Sequence, residues 1–180
     1  MYFCFMVKVQ SLIPVFLKNI AVVVGAFFGG FYFTTLFHEP TSLVGGLWAV
    51  ISAIIVIEAS HKETYTSAKN RIIGSFIGAI VSGLYLLLFP FSLVGFAAAI
   101  GVGVLICLLL GLPQSIKLTG ITISVIMIVS TIAKDLHPFL NAGLRFVESA
   151  IGAGIALIVA FTAFYLANLF PNKDAKNNDE

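Results

Sequence analysis

Long apolar runs separated by short polar connectors make up most of the chain. Six runs have about the length needed to cross the roughly 30 Å hydrocarbon core of a bilayer as α-helices. Transmembrane barrels are excluded, because their strands alternate apolar and polar positions whereas these runs are continuous. The pattern therefore predicts an all-α membrane protein with six spans, at residues 18–37, 43–59, 71–89, 92–112, 118–133 and 145–169.

The connectors support this division. Four of them, "HEPTS", "FPFS", "LPQS" and "DLHPFLNAG", contain a proline, which cannot continue a helix. We expect residues 1–170 to form one transmembrane domain. The polar residues 171–180, "PNKDAKNNDE", are expected to form a disordered cytoplasmic tail.

Composition points to the same class of protein. Hydrophobic residues make up 59% of the 180-residue chain and charged residues only 10%, against about 25% in soluble domains. Cytoplasmic loops of membrane proteins carry an excess of lysine and arginine. With both termini in the cytoplasm, only Lys134 and Arg145 lie outside, and eight basic residues lie inside: Lys8, Lys18, Lys62, Lys69, Arg71, Lys117, Lys173 and Lys176. We therefore predict a multi-pass membrane protein with both termini in the cytoplasm and the lipid bilayer as its surroundings. A net charge of +2 gives no reason to expect nucleic-acid binding.

The chain contains an internal repeat at a shift of 74 residues. "RIIGSFIGA", from Arg71, aligns with "RFVESAIGA", from Arg145, and the alignment pairs Ser75 with Ser149. Each repeat, at about residues 15–90 and 91–170, contains three spans. Because three is odd, the two repeats must have opposite orientations, which is an inverted-topology repeat.

Arg71 and Arg145 are the main candidates for a binding site. The predicted spans put them at the starts of the third and sixth helices. A helix N-terminus carries partial positive charge, and a guanidinium fork suits carboxylates, so each end could attract an anion. Lys62 and Trp48 are further candidate substrate contacts. The alternative is that both arginines reach lipid phosphates at the interface and have no further role.

Two acidic residues are candidates for either a coupling group or an ion pair. Glu148 follows Arg145 by three positions and shares its helical face, so the two could pair. Glu58 is predicted about one turn inside the second helix, where Lys62 at i+4 is its natural partner.

The remaining candidates concern packing. Small residues four apart let membrane helices approach closely, which favours packing roles for Gly25, Gly29, Gly74, Gly78 and Gly152. The pattern places Trp48 near the outer membrane interface. The three histidines, in separate connectors, do not have metal-ligand spacing. Since catalytic motifs are also absent from the sequence, we expect no enzyme activity, cofactor or metal.

Residues 45–79 resemble the fusaric acid resistance and aromatic acid exporter superfamily. The resemblance consists of the apolar helix "WAVISAIIVIE", the polar loop "HKETYTSAK", and an R-x-x-G-[ST]-x-x-G helix at Arg71, Gly74, Ser75 and Gly78. It implies a transporter or channel of the bacterial inner membrane for organic, including aromatic, carboxylate anions. It also implies a homodimer or higher homo-oligomer, and basic site residues at Arg71 and Arg145. Glu148 departs from the pattern, which has glycine there.

Two hypotheses of function remain. The first is an organic-anion transporter or channel that attracts its substrate with the two arginines. The second is a non-transporting membrane subunit or scaffold whose basic residues only set topology.

Overall fold

The computed structural model describes residues 2–58 and 60–169, with side chains from 15 to 165 apart from residue 59. The predicted tail at 171–180 lies outside the described residues. Within them, six α-helices follow one another, with 3₁₀ turns at Glu39–Thr41 and Pro113–Ser115. The helices are α1 Tyr2–Thr35, α2 Ser42–Val56, α3 His61–Leu88, α4 Leu93–Leu109, α5 Ile116–Ile132 and α6 Pro138–Leu169.

The described helices have the lengths and composition of a membrane bundle. Five are long and apolar enough to cross a bilayer, and α4, with 17 residues, is shorter. The ends of α4 nevertheless lie at opposite ends of the bundle. Gln114, beyond its C-terminus, shares a cavity with Lys62 at the start of α3. Phe91, before its N-terminus, shares a different cavity with Lys134 in the α5–α6 connector. The all-helical, multi-pass architecture is confirmed.

The predicted starts of the first, third and sixth helices are wrong. Helix α1 begins at Tyr2 and not at residue 18. Helix α3 begins at His61, ten residues before Arg71, and α6 begins at Pro138, seven residues before Arg145. At 1.5 Å per residue, the arginines lie about 15 Å and about 10 Å from their helix starts. A capping box starts α3 early: Ser60 Oγ accepts from the Glu63 backbone N–H (3.2 Å), and the Glu63 carboxylate accepts from the Ser60 backbone N–H (3.3 Å).

Two further positions differ from the predictions. Helix α2 ends at Val56, so Glu58 lies beyond it in the connector, where its backbone N–H donates to Thr64 Oγ1 (3.0 Å). Among the described side chains, Glu58 and Lys62 form no ion pair. Trp48 lies in the middle of α2 and is only 2% exposed, so the expected position at the outer interface is wrong.

Helices α3 and α6 pack against each other at the centre of the bundle. Helix α6 also packs on α1 and α2, while α3 packs on α4 and α5. Alanines from α1, α2 and α6 dominate one apolar core, and larger side chains from α3, α4 and α5 form another. The two central helices therefore pack against different outer helices: α6 against α1 and α2, and α3 against α4 and α5.

Glycines bring these helices close together. A Cβ on Gly78 would lie 2.8 Å from Thr122 Cβ of α5. A Cβ on Gly152 would overlap the carbonyl oxygen of Ala49 in α2. Gly74 likewise faces α5, and Gly25 and Gly29 face isoleucines of α6. Close approach in turn brings polar side chains of several helices within hydrogen-bond distance.

Candidate functional site

A group of buried polar side chains lies where α2, α3 and α6 meet, with contributions from α1 and α5. None is more than 2% exposed. Ionisable side chains buried inside a membrane bundle are costly and usually mark functional sites. We call this group the central polar cluster; it consists of Thr34, Trp48, Ser52, Arg71, Ser75, Thr122, Arg145, Glu148 and Ser149.

Arg71 is the buried cation of this cluster without an acidic partner. Its Nε and Nη2 donate to Ser52 Oγ at 3.2 and 2.9 Å. Its Cζ lies 4.7 Å from the centre of the Trp48 ring, within cation–π distance. Nη1 has no hydrogen-bond partner among the described residues, and none of their carboxylates lies within ion-pair distance of Arg71. Its positive charge is therefore not neutralised locally.

Arg145, by contrast, contacts an acid on its own helix. Its Nη1 lies 2.9 Å from Glu148 Oε2, but the two do not have hydrogen-bond geometry. The other carboxylate oxygen, Oε1, accepts from Thr34 Oγ1 at 2.5 Å. The backbone carbonyl of Arg145 accepts from Trp48 Nε1 at 2.8 Å. Trp48 thus contacts both arginines. Its ring lies against the Arg71 guanidinium, and its Nε1–H donates to the Arg145 backbone carbonyl.

A chain of hydroxyl groups connects the helices beside the arginines. Ser52 Oγ lies 3.1 Å from Ser149 Oγ, and Ser149 Oγ lies 2.8 Å from Ser75 Oγ. Thr122 Oγ1 in turn donates to Ser75 Oγ at 3.4 Å. The chain therefore runs from α2 through α6 and α3 to α5, and it meets Arg71 at Ser52.

The charges of the cluster do not balance. It contains two guanidinium groups and one carboxylate, so with all three ionised its net charge is +1. Charge buried in an apolar interior is stable only when it is paired and hydrogen-bonded. The cluster can therefore accept one further negative charge.

Of the sequence-predicted site residues, the fold brings Arg71, Arg145, Glu148 and Trp48 together. Lys62 and Glu58 lie elsewhere: both are exposed and line a cavity of about 550 Å³ that also includes Ser67. Ser67 lies one helical turn before Arg71 on α3, on the same face of the helix. The cavity therefore reaches to within one turn of the central polar cluster.

Although the repeat matched two of them, sequence reasoning missed all five hydroxyl residues of the cluster as site residues: Thr34, Ser52, Ser75, Thr122 and Ser149. The available signal was a hydroxyl residue inside an apolar run, since each of the five lies within a predicted span. That signal is weak, because a serine or threonine in a membrane helix can also bond to its own backbone, as Ser82 does to the Gly78 carbonyl (2.6 Å).

A second polar contact lies outside the helices. His38 Nε2, in the α1–α2 connector, lies 3.1 Å from Asp135 Oδ2 in the α5–α6 connector. The hydrogen bond with His38 lowers the pKa of the Asp135 carboxyl from its ordinary value of 3.8. The contact joins two connectors at one end of the bundle.

Comparison with known proteins identifies the family. A family model described as fusaric acid resistance protein-like matches residues 20–159, which is more than half of the chain and includes the whole central polar cluster. Comparisons with curated proteins and with solved structures gave no match. The chain therefore belongs to the fusaric acid resistance protein-like family, and this membership indicates a transporter-like role in a membrane.

Proposed function

We propose that this protein is a transporter or channel for organic carboxylate anions, aromatic ones among them, and that the anion binds at the central polar cluster. The observation that carries the proposal is Arg71, a fully buried guanidinium with no acidic partner and with an unpaired Nη1. A carboxylate can accept two parallel hydrogen bonds from one guanidinium. The partial positive charge of a helix start, part of the sequence hypothesis, is not needed.

We further propose that the bundle consists of two inverted three-helix repeats, at about residues 15–90 and 91–170. Two observations support this. Ser75 and Ser149, matched by the repeat, contact each other at 2.8 Å between the central helices. The matched glycines also have equivalent surroundings, because Gly78 packs on the second helix of the other repeat, α5, and Gly152 packs on α2. Inverted repeats are a common architecture of transporters.

We propose that both termini face the cytoplasm of a bacterial cell. Lys18 Nζ, at the middle of α1, donates to the Glu58 carbonyl (3.0 Å), so Lys18 and the α2–α3 connector lie at the same end of the bundle. Lys62 and Lys69 are exposed in the first turns of α3, at that end. The positive-inside rule assigns such an end to the cytoplasm. A homodimer or higher homo-oligomer stays a prediction.

The scaffold alternative explains Lys62 and Lys69, which are exposed, but not the two arginines. A residue that only sets topology needs to reach water or lipid head groups. Arg71 and Arg145 are 0% exposed and lie well inside their helices. Burying them would be costly without a compensating function.

The test is uptake of radiolabelled benzoate into proteoliposomes that contain the purified protein, with empty liposomes as background. We expect saturable uptake by the wild type and a loss of about tenfold or more for Arg71→Gln, since bonds to a charged group contribute about 1.5–3 kcal/mol. Lys69→Gln is the matched control: it removes an exposed cation two residues away and should transport like the wild type.

Two results would contradict the proposal. One is wild-type uptake no greater than that of empty liposomes for several carboxylates, with an imposed pH gradient included. The other is normal uptake by an Arg71→Gln variant that elutes as the same particle as the wild type in size-exclusion chromatography. Either result would favour the scaffold.

A further inference from the structure

We infer that Glu148 sets the valence of the transported anion, so that the central polar cluster accepts singly charged carboxylates and rejects doubly charged ones. The inference rests on the proposed function and adds to it the charge class of the substrate and a specificity-determining residue. It follows from the charges in the cluster and from the way Glu148 is held in place.

The first step is the charge count. Arg71, Arg145 and Glu148 are each 0% exposed, and with all three ionised they carry +1. One added carboxylate brings the sum to zero. A second carboxylate on the same ligand would leave one buried negative charge without a partner, and such a charge is strongly disfavoured in a low-dielectric interior.

The second step is that Glu148 lies beside Arg145 as its counter-charge. One carboxylate oxygen is held by Thr34 Oγ1 (2.5 Å), and the other lies 2.9 Å from Arg145 Nη1. The backbone of α2 lies against the oxygen that Thr34 holds, since a Cβ on Gly45 would lie 2.7 Å from Glu148 Oε1. Because Glu148 is on the same helix as Arg145, one turn away, a free carboxylate has to compete with a tethered one.

The third step is the asymmetry between the repeats. The position that matches Glu148 is Gly74, three residues after Arg71. A side chain there has no room, because a Cβ on Gly74 would lie 2.7 Å from Leu118 Cβ and 3.0 Å from the Ser115 carbonyl oxygen. Arg71 therefore has no tethered acid, and one arginine of the pair is left for the substrate. The repeats provide two cations but a site for a single negative charge.

The charge count gives opposite expectations for two substitutions. Glu148→Gln retains the size of the side chain and an oxygen that can accept from Thr34, but raises the cluster to +2. A dicarboxylate would then neutralise it. The double variant Arg145→Gln with Glu148→Gln returns the cluster to +1, so it should again prefer a monocarboxylate although two residues differ from the wild type.

The experiment compares uptake of benzoate and terephthalate, which differ by one carboxylate, into proteoliposomes at neutral pH. We expect the wild type to favour benzoate by about tenfold or more, Glu148→Gln to lower this ratio by about tenfold, and the double variant to restore it. Glu39→Gln, which removes an exposed acid in the α1–α2 connector, is the control and should leave the ratio unchanged. Fluorescence of Trp48, the single tryptophan, reports whether each variant retains the packing of the cluster.

The outcomes separate this inference from the proposed function. If the wild type transports benzoate and terephthalate equally well, or if Glu148→Gln transports both at the wild-type ratio, the valence inference is overturned and anion transport stands. If the wild type transports neither, both are overturned. Should Glu148→Gln fail to assemble, the wild-type ratio still decides, because it must favour benzoate.

Discussion

Substitution of Gly152 by alanine should separate α2 from α6 and destabilise the bundle. A Cβ at this position would overlap the Ala49 carbonyl oxygen and lie 2.9 Å from its carbonyl carbon and 3.1 Å from the Ala53 backbone nitrogen. Favourable contacts between carbon atoms need about 3.5 Å, so the carbonyl carbon alone would require α6 to move by roughly 0.6 Å. The overlap with the carbonyl oxygen requires a larger movement. The obstacle is helical backbone, which cannot rotate away as a side chain can.

The magnitude follows from two opposing effects. Overpacking a close contact costs about 1–3 kcal/mol, and a backbone obstacle places Gly152→Ala near about 3 kcal/mol. Alanine regains about 1 kcal/mol of helix propensity, which leaves a net loss of about 2 kcal/mol. For a chain of this size, that loss should lower the melting temperature by about 4–8 °C. The Ala49 contact lies one residue from Trp48, so the fluorescence of the single tryptophan should report the change.

Gly154 provides the matched control on the same helix. A Cβ there would meet nothing within 4 Å, so Gly154→Ala has the propensity gain without the clash. We expect it to melt at or slightly above the wild-type temperature in detergent, while Gly152→Ala melts below it. If the two variants melt alike, the close approach of α2 and α6 is not what stabilises this interface.

Two further predictions test polar contacts. Ser52→Ala removes the hydroxyl that accepts two hydrogen bonds from Arg71. It should lower the free energy of unfolding by about 1.5–3 kcal/mol and reduce benzoate uptake. An unchanged melting temperature would contradict the described contact. The hydrogen bond with His38 lowers the pKa of the Asp135 carboxyl from 3.8, so the folded state favours the ionised carboxylate. The resulting stabilisation is present above pH 3.8 and is lost as the pH falls through the lowered pKa of the folded state. Asp135→Asn should abolish this loss of stability at acid pH, which can be detected from melting temperatures measured above pH 3.8 and below the lowered pKa. If the variant loses stability with falling pH as the wild type does, the contact between the connectors is contradicted.

The sequence by itself determined the class of protein and the positions of three of the six described helices. Span length depends on bilayer thickness and apolar content, which are local properties of a segment. The predicted spans 43–59, 92–112 and 118–133 accordingly correspond to α2, α4 and α5 within about three residues. The same reasoning placed the starts of α1, α3 and α6 too late. The first turns of α3 are polar, and hydropathy does not detect polar turns that extend a helix beyond its apolar run. The capping-box pattern of Ser60 and Glu63 was the local signal that would have corrected α3.

Only the tertiary structure decided what the arginines contact. The spacing of Arg145 and Glu148 is a local pattern on one helix, and it could be read in advance. The partners of Arg71 could not, since Ser52 and Trp48 belong to α2 and come within reach only because glycines let the helices approach closely. Hydropathy treats each run separately and is nearly the same on every face of an apolar helix. Which face turns inward, and hence which buried cation keeps its charge unpaired, depends on how six such helices pack.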